Sequence, residues 1–410
     1  MIAPMQEQAP RRRGPPRGSL PAGVWALGVV SLFMDTSSEA IQSLLPVFLV
    51  SVLGASTVSV GLIEGVAEAT ALITRTFSGA LSDWLGRRKA LALAGYGLAT
   101  LSKPLFAVAA SVEAVFVARF IDRIGKGIRG APRDALVADL APAPLRGSAF
   151  GLRQSLDTVG AVLGPGLAML LMTLSSDDFR LVFWLAVIPA AAAVAVLATA
   201  VHEPARSRER TARLPLRRRE LARLPSAYWL VVTVAGVFTL ARFSEAFMLL
   251  KAESIGLREA LVPMMLAVMS VVYSATAYPV GRLSDRIGRS GLLASGLLAL
   301  IAADLVLAAA GSVWSVALGS ALWGLHMGLT QGLLVTLVAD TAGARLRGTA
   351  YGMFSLVSGL AMLVASVLAG GLWQAFGPAA TFLTGAGITA LALAGFAWLG
   401  RRGLIGGHPG

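Results

Sequence analysis

Long apolar stretches, separated by short polar segments, recur along almost the whole chain. A helix needs roughly 20 apolar residues to cross the hydrocarbon core of a membrane, and each stretch reaches that length. The pattern therefore predicts an all-α polytopic membrane protein with twelve transmembrane helices, called spans 1 to 12 below. Their predicted ranges are 23–50, 57–82, 90–110, 113–140, 147–174, 180–201, 227–252, 259–281, 291–312, 314–341, 348–374 and 378–400.

Composition agrees with a membrane protein and narrows its chemistry. Hydrophobic residues make up 56% of the 410 residues and charged residues 14%, whereas a soluble domain carries roughly 25% charged residues. The chain has no Cys, so a disulfide framework and a Cys-built metal site are excluded. The three His residues are scattered along the sequence. We therefore expect no bound metal and no cofactor.

The net charge of +13 comes mainly from Lys and Arg on one side of the predicted membrane. That side holds the N-terminal tail, the loop at Arg87–Lys89 and the segment 206–223, whereas the opposite loops hold Arg180, Lys251 and Arg258. Basic loops stay in the cytoplasm. Both termini are therefore predicted to be cytoplasmic, and the protein is predicted to lie in the cell inner membrane. Because topology explains the positive charge, we expect no nucleic-acid partner.

The segment between spans 6 and 7 separates two halves of the chain. It is long, basic and interrupted by Pro204, Pro215 and Pro225, as expected where two bundles tilt independently. The N-terminal tail is rich in Pro and Arg and lacks an apolar core, which predicts disorder. The predicted units are a disordered cytoplasmic tail (1–20), a six-helix bundle (21–201), a basic cytoplasmic linker (202–225), a second six-helix bundle (226–401) and a C-terminal tail (402–410).

Three short motifs occur in both halves, the second copy about 201 residues after the first. They are G-x-L-S-D-x-x-G-R from Gly79 and Gly281, L-V-A-D from Leu136 and Leu337, and L-R-G from Leu145 and Leu346. Chance similarity of apolar helices would not preserve the spacing of charged loops, so the halves share one architecture. Two alike membrane bundles are typical of transporters in which one half rocks against the other.

The first motif, Gly79-x-x-x-Asp83-x-x-Gly86-Arg87-Arg88, lies between spans 2 and 3 and returns between spans 8 and 9. It resembles the loop signature of the major facilitator superfamily, which also has twelve spans, a central basic linker and a weaker second copy of this loop. The resemblance implies a transporter similar to drug and metabolite exporters. Its two six-helix bundles would be related by pseudo-two-fold symmetry, and it would act as a monomer on a small-molecule substrate.

The resemblance also implies a cytoplasmic gate, a cluster that holds the cytoplasmic side shut when the protein faces outward. Asp139 and Asp340 close the fourth helix of each half and are the expected partners of Arg87 and Arg289. The residues assigned to this gate are Gly79, Asp83, Gly86, Arg87, Arg88 and Asp139, with Gly281, Asp285, Gly288, Arg289 and Asp340 in the second half. The alternative interpretation is ordinary helix capping combined with the retention of basic loops in the cytoplasm.

Span 5 contains Gly160-x-x-x-Gly164-Pro165, which resembles the antiporter signature of the superfamily until the match ends after Pro165. Small residues four apart let helices approach closely, and a proline bends the helix beside them. In the superfamily this signature marks exporters. Tight helix packing alone is the alternative interpretation.

Charged residues inside the predicted membrane are concentrated in the first half. Each costs roughly 2.5–3.5 kcal/mol at the bilayer centre, so they must face water or one another. The charged residues of span 4, from Arg119 to Arg133, fall within an arc of about 120° at helical spacing. We therefore expect a cavity lined by spans 1, 2, 4 and 5, in which acids exchange protons. The proton-coupling candidates are Asp35, Glu39, Glu64, Glu68, Arg75, Arg119, Asp122 and Arg123. The alternative is a static network of ion pairs.

The second half repeats little of this charge, although Ser244-Glu245-Ala246 echoes Ser38-Glu39-Ala40. Ion chemistry is therefore expected in the first half and apolar substrate contacts in the second. The substrate-cavity candidates are Lys126, Gln154, Asp157, Arg242, Glu245 and His326. The candidate apolar wall residues are Met264, Met265, Met269, Phe243, Phe247 and Trp323.

Together these features predict a secondary active transporter that exports a small organic molecule by alternating access, coupled to protons. No Gly-rich nucleotide loop occurs in the sequence, which favours the proton gradient as the energy source. A proton-coupled importer of an anionic organic solute is the main alternative, because span 4 has a cationic face. A metal-ion exporter and a non-transporting membrane sensor are weaker alternatives. No nucleophile–base pair indicates an enzyme.

Overall fold

The computed structural model describes residues 19–203, 221–287, 289–342 and 346–401, and these residues form helices and no strand. Most of the predicted N-terminal tail, the predicted C-terminal tail and most of the predicted linker lie outside these ranges. The spans are as follows: span 1, Ala22–Gln42 with Leu45–Val47 and the π-helical turn Phe48–Val52; span 2, Thr57–Leu85; span 3, Arg88–Val108; span 4, Val112–Leu140; span 5, Arg146–Leu174; span 6, Phe179–Leu185 with Val187–Ala200; span 7, Ser226–Ala241 with Ala246–Ser254; span 8, Met264–Ile287; span 9, Arg289–Ala309; span 10, Val313–Ala342; span 11, Arg347–Phe376; span 12, Pro378–Arg401.

Ten of these spans, within the described ranges, are long and apolar enough to cross a membrane. The all-α polytopic fold is thereby confirmed. Spans 4 and 10 are 29 and 30 residues long but are not among the ten, so the full count of twelve stays a prediction. Span 4 departs from the apolar pattern because six charged residues occur between positions 119 and 133, including Arg119 and Arg133.

Several predicted helices contain breaks that their apolar pattern did not indicate. Span 6 breaks at Ala186, and the Ser37 hydroxyl of span 1 donates to the Ala186 carbonyl at 2.6 Å. Span 7 breaks between Ala241 and Ala246, where the Ser244 N–H donates to the Ser366 hydroxyl at 3.3 Å. Neighbouring side chains thus satisfy backbone groups that a broken helix would leave unpaired in a membrane.

The turn between spans 2 and 3 depends on Gly86. Its φ of 62° lies in the left-handed region, and its N–H donates to the Ser82 carbonyl to end span 2. Glycine adopts this conformation without the steric penalty of a Cβ atom. The tight turn brings Arg88, at the start of span 3, back towards the end of span 2.

Packing repeats between the halves as the sequence repeat predicts. In the first half span 1 packs on span 5 and span 3 on span 4, and the equivalent pairs in the second half, spans 7 and 11 and spans 9 and 10, pack likewise. Between the halves span 2 contacts span 11, and span 5 contacts span 8. Span 2 of the first half is equivalent to span 8 of the second, and span 5 is equivalent to span 11. The two contacts are therefore equivalent to each other, and the arrangement has pseudo-two-fold symmetry.

Small residues bring helices together at the closest approaches. Across the halves, a Cβ added at Gly65 of span 2 would lie 3.0 Å from the carbonyl oxygen of Leu363, and the Thr57 hydroxyl donates to the Gly370 carbonyl at 3.0 Å. In membranes such close backbone contact supplies much of the helix association energy. Span 2 is therefore held directly against span 11.

Within the first half, Gly164 of span 5 is the tightest contact of the Gly-x-x-x-Gly-Pro segment with span 1. A Cβ there would lie 2.6 Å from the Glu39 Cβ and 2.8 Å from the Thr36 carbonyl oxygen, whereas one at Gly166 would meet nothing within 4 Å. Gly164→Leu should therefore lower the thermal unfolding temperature in detergent, since overpacking typically costs about 1–3 kcal/mol. Gly166→Leu is the matched control and should unfold near the wild-type temperature. Equal unfolding temperatures for the two variants would contradict this packing role.

Candidate functional site

A cavity of about 440 Å³ lies between the two halves, a volume typical of a small-molecule site. Its charged lining comes from the first half: Asp35 and Glu39 of span 1, Glu68 and Arg75 of span 2, Lys126, Arg129 and Arg133 of span 4, and Asp157 of span 5. Its neutral polar lining includes Gln154 and Thr158 of span 5, Ser270, Tyr273 and Ser274 of span 8, and Gln331 of span 10. The wall is therefore polar on both sides and charged on one.

The cavity lies towards the basic side, meaning the side of the protein that carries the loop at Arg87–Lys89. Arg75, Arg133 and Gln154 belong to the parts of spans 2, 4 and 5 nearest that side. On the opposite side the halves are tied together: Ser51 donates to Glu253 at 3.0 Å.

A second tie on the opposite side joins the loops that follow spans 5 and 7. Arg258 pairs with Asp177 at 3.3 Å. These cross-half contacts close the end of the molecule away from the basic loops.

Two ion pairs lie deep inside the first half, away from the cavity wall. Arg119 pairs with Glu64 at 2.7 Å between spans 4 and 2, and Lys103 pairs with Asp122 at 2.9 Å between spans 3 and 4. All four side chains are at most 4% exposed. The expectation that Glu64, Arg119 and Asp122 line a common cavity is thus corrected: paired charges are stable in the packed interior, so they need no water.

Lys103 is a buried charge that was not among the residues predicted from the sequence. The Lys103 ammonium also donates to the Ser38 hydroxyl at 3.0 Å, which ties span 3 to span 1. The available signal was a single Lys directly before Pro104 in an otherwise apolar span. A lone cation at that depth requires a buried acid as its partner, and Asp122 supplies it.

Glu68 connects the buried network to the cavity. Its carboxylate lies 3.3 Å from the Arg123 guanidinium; Arg123 is 1% exposed and Glu68 is 30% exposed. Arg123 also donates to the Gln42 side chain at 2.6 Å. Glu68 therefore faces a buried cation on one side and the cavity on the other, an arrangement that can respond to protonation.

Asp35 has a similar position on span 1. Its carboxylate lies 3.9 Å from Arg129, whose guanidinium stacks 4.8 Å from the centre of the Tyr96 ring. Aromatic stacking holds a cation at partly desolvated sites. Arg129 is therefore fixed beside an acid that remains part of the cavity wall.

Towards the basic side, a network built on Asp134 and Asp157 joins spans 2, 4 and 5. Asp134 pairs with Arg75 at 3.1 Å and Arg133 at 3.2 Å, while Asp157 pairs with Arg153 and lies 3.7 Å from Arg133. Asp134 and Arg153 were not among the predicted site residues, although they are adjacent in sequence to Arg133 and Gln154. Adjacency in sequence did not indicate which side of the helix faces the neighbouring span.

Glu39 and Lys126 differ from the other charged wall residues. Within the part of the chain that the structure describes, neither side chain forms an ion pair or a hydrogen bond, although both line the cavity. The cavity wall thus includes one acidic and one basic side chain without an ion-pair or hydrogen-bond partner in those ranges.

The second-half candidates need correction. His326 is fully buried, and its Nδ1 atom lies 2.8 Å from the Gly296 carbonyl, so it is not a cavity residue. Arg242, at the break in span 7, does not line the cavity, and Glu245 instead borders a narrow crevice beside Glu64. The proposed apolar wall is also wrong: Met265, Met269, Phe243, Phe247 and Trp323 are buried in the core, and the adjacent Met264 packs against it.

At the basic end of the first half, Arg88 rather than Arg87 makes the predicted contacts. Arg88 pairs with Asp139 at 2.6 Å and Asp83 at 2.8 Å, while Arg87 is exposed. Glu203, just after span 6, accepts hydrogen bonds from the Arg88 N–H at 2.7 Å and the Lys89 N–H at 3.1 Å. The expectation for Arg87 is corrected because the turn at Gly86 directs Arg88, the first residue of span 3, towards Asp139 instead of Arg87.

This cluster joins spans 2, 3 and 4 of the same half. Gly79 packs against Ala131 of span 4, where an added Cβ would lie 3.3 Å from the Ala131 Cβ. In the second copy Gly281 is exposed, whereas Gly288 and the side chains of Asp285, Arg289 and Asp340 lie outside the described part.

Among the described residues, no group of three or more His, Cys, Asp or Glu could hold a metal ion.

Breaking the buried pair of Lys103 and Asp122 on one side should destabilise the first half, because it leaves a buried charge without its partner. Lys103→Met leaves the Asp122 carboxylate with only its longer contact, 3.7 Å, to Arg123. We expect a loss on the order of 3 kcal/mol in the free energy of unfolding, measured by thermal unfolding in detergent. The double variant Lys103→Met/Asp122→Leu removes both charges and should recover most of that loss. If the single variant unfolds at the wild-type temperature, the pair does not have this structural role.

The contacts of Arg88 predict a clear difference between two neighbouring arginines. Arg88→Ala removes charge-assisted hydrogen bonds, each worth about 1.5–3 kcal/mol, and should lower the thermal unfolding temperature. Arg87→Ala changes an exposed side chain of the same charge and serves as the matched control. Equal effects of the two substitutions would show that the basic loop acts only through its charge.

Comparison with known proteins extends these observations. The sequence pattern of the Major Facilitator Superfamily matches residues 26–251 and 237–404. An uncharacterized MFS-type transporter of Methanocaldococcus jannaschii is 31% identical over 392 residues, which cover 94% of this chain and 96% of the relative. The peptide transporter POT has a similar fold, with a TM-score of 0.77 and 14% identity over 94% of this chain and 96% of that one. The nucleoside transporter NupG matches with a TM-score of 0.72 and 14% identity over 92% of this chain and 99% of that one.

Proposed function

The chain belongs to the Major Facilitator Superfamily, and from that premise we propose that it exports a small organic molecule in exchange for protons by alternating access. Members of this family are transporters rather than enzymes, so the chain is a multi-pass membrane transporter. We place it in the cell inner membrane with both termini in the cytoplasm, because its basic loops lie on one side.

The observation that carries this proposal is a polar cavity between the halves whose far end is closed by cross-half contacts. With the basic side taken as cytoplasmic, a cavity near that side and cross-half contacts at the opposite end support an inward-facing state. Alternating access then requires the contacts of Ser51 with Glu253 and of Arg258 with Asp177 to open. The basic ends of the halves would close in the same step.

Proton coupling is assigned first to Glu68. In its ionised form the carboxylate attracts Arg123 at 3.3 Å, and in its protonated form that attraction is lost. Span 2 also carries Gly65, which packs on Leu363 of span 11. Because one helix bears both contacts, a change in the charge of Glu68 can bias the packing between the halves.

Export is favoured by the Gly160 to Pro165 segment, which resembles the antiporter signature and packs closely on span 1. Import of a purely anionic solute is less well supported. The cavity wall carries Asp35, Glu39, Glu68 and Asp157 beside its four cations, so it is not a uniformly positive surface.

Inside-out membrane vesicles with an acidic lumen test the proposal. Vesicles are supplied with a defined mixture of amino acids, dipeptides, nucleosides, carboxylic acids and quaternary amines, and solutes in the lumen are quantified by mass spectrometry. At least one solute should accumulate, and collapsing the pH gradient should abolish the accumulation. Accumulation in right-side-out vesicles instead would establish import, and the absence of gradient-driven movement would refute proton coupling.

Glu68→Gln should reduce the gradient-driven accumulation by about tenfold or more, because a side-chain amide cannot bind and release a proton as a carboxylate does. Glu113→Gln is the matched control: Glu113 is an exposed acid in the first turn of span 4, far from the cavity. Solute exchange without a pH gradient should persist in Glu68→Gln, which separates coupling from folding. Wild-type coupling in this variant would refute the assignment.

A further inference from the structure

We propose that the transported solute is zwitterionic, with its anionic group bound by Lys126 and its cationic group bound by Glu39. This inference rests on the proposed transport function and specifies the chemical class of its substrate. It depends on which charges of the cavity are already neutralised by the protein.

Six of the eight charged wall residues have an opposite charge within 4 Å. The ion pairs that neutralise them are Asp35–Arg129, Asp157–Arg133, Glu68–Arg123 and Arg75–Asp134. Glu39 and Lys126 are the two wall residues without such a partner in the described ranges. The cavity wall therefore offers one carboxylate and one ammonium group that no ion pair within 4 Å occupies.

The positions of these two side chains suit a ligand. The Cβ of Glu39 packs on Gly164 of span 5, so the start of its side chain is fixed while its carboxylate borders the cavity. Lys126 lies on span 4 between Arg123 and Arg129, both of which are committed to other acids, and its side chain is exposed. The two charges lie on the separate walls formed by spans 1 and 4.

The remaining wall is neutral. Span 8 contributes the hydroxyl groups of Ser270, Tyr273 and Ser274, and span 10 contributes the Gln331 amide. These groups can bind the uncharged part of a solute by hydrogen bonds without selecting a charge. A volume of about 440 Å³ accommodates a small organic molecule that carries both charges.

Electrostatics makes this arrangement selective. A solute with a single charge would neutralise one of the two residues and displace water from the other, which leaves an unpaired charge in a region of low dielectric. A zwitterion satisfies both. A loss of about 1.4 kcal/mol in binding free energy for one unmatched charge corresponds to about tenfold weaker binding.

The test uses charge-matched derivatives and the purified full-length protein at neutral pH. The probes are L-phenylalanine, its cationic amide, its anionic N-acetyl form and its neutral N-acetyl amide, with a second set built on L-leucine. Binding is measured by thermal shift and isothermal titration calorimetry. In at least one set the zwitterion should bind about tenfold or more tightly than either singly charged form. Equal responses of the four forms in both sets, including no response to any, would overturn the charge assignment.

Variants show which residue binds which charged group of the solute. Lys126→Gln should equalise the binding of the zwitterion and the cationic amide, and Glu39→Gln should equalise the zwitterion and the N-acetyl anion. Lys126→Arg keeps the positive charge and should keep the preference, and Glu113→Gln should bind as the wild type does. An unchanged preference in Lys126→Gln or Glu39→Gln would assign recognition to other groups and refute the proposal.

These measurements need no pH gradient, so they fail independently of the transport assay. Preferential binding of the zwitterion without gradient-driven accumulation of any solute would refute proton-coupled export and retain the substrate class. Gradient-driven export of solutes with a single charge, without preference for the zwitterion, would refute the zwitterionic substrate class and retain proton-coupled export.

Discussion

A charge inside a membrane must meet an opposite charge or water, and this constraint determines how the first half is built. Span 4 could not remain between apolar neighbours with its cations unmatched. Glu64 and Asp122 therefore meet Arg119 and Lys103 in the packed interior at 2.7 and 2.9 Å. Charged side chains that lie outside this packed interior line a cavity instead. The same requirement thus produces both a stabilising network and a polar site.

The boundary between these two environments runs along span 2. Glu64 is buried against span 4, while Glu68, one turn later, lies between buried Arg123 and the cavity. The same helix contacts span 11 through Gly65 with almost no intervening side chain. Small residues make that contact close, and Glu68 lies on the same helix beside a buried cation. The proposed coupling of proton binding to motion between the halves rests on this combination.

Much of the fold followed from local rules, and the exceptions have local causes. Apolar length located the spans to within a few residues, although span 8 begins at Met264 instead of 259, because Glu259–Leu261 forms a separate 3₁₀ turn. The gate arginine was misassigned because a tight turn at Gly86 changes which neighbour points inward. The second-half wall was misassigned because the aromatic and Met residues pack together in the core, including Phe243 on Trp323 with ring centres 5.4 Å apart.

The sequence by itself determined that the protein spans a membrane as two alike halves, because hydropathy and repeated motifs are encoded residue by residue. It also determined that the charge lies in the first half and on one face of span 4, because helical spacing fixes direction around an axis. Only the tertiary structure decided which charges are paired. Lys103 with Asp122 and Glu68 with Arg123 join residues of different spans, and the distances between helices depend on small-residue contacts throughout the bundle. Partner choice, and hence which wall charges remain without an ion pair, is therefore a property of the packed molecule.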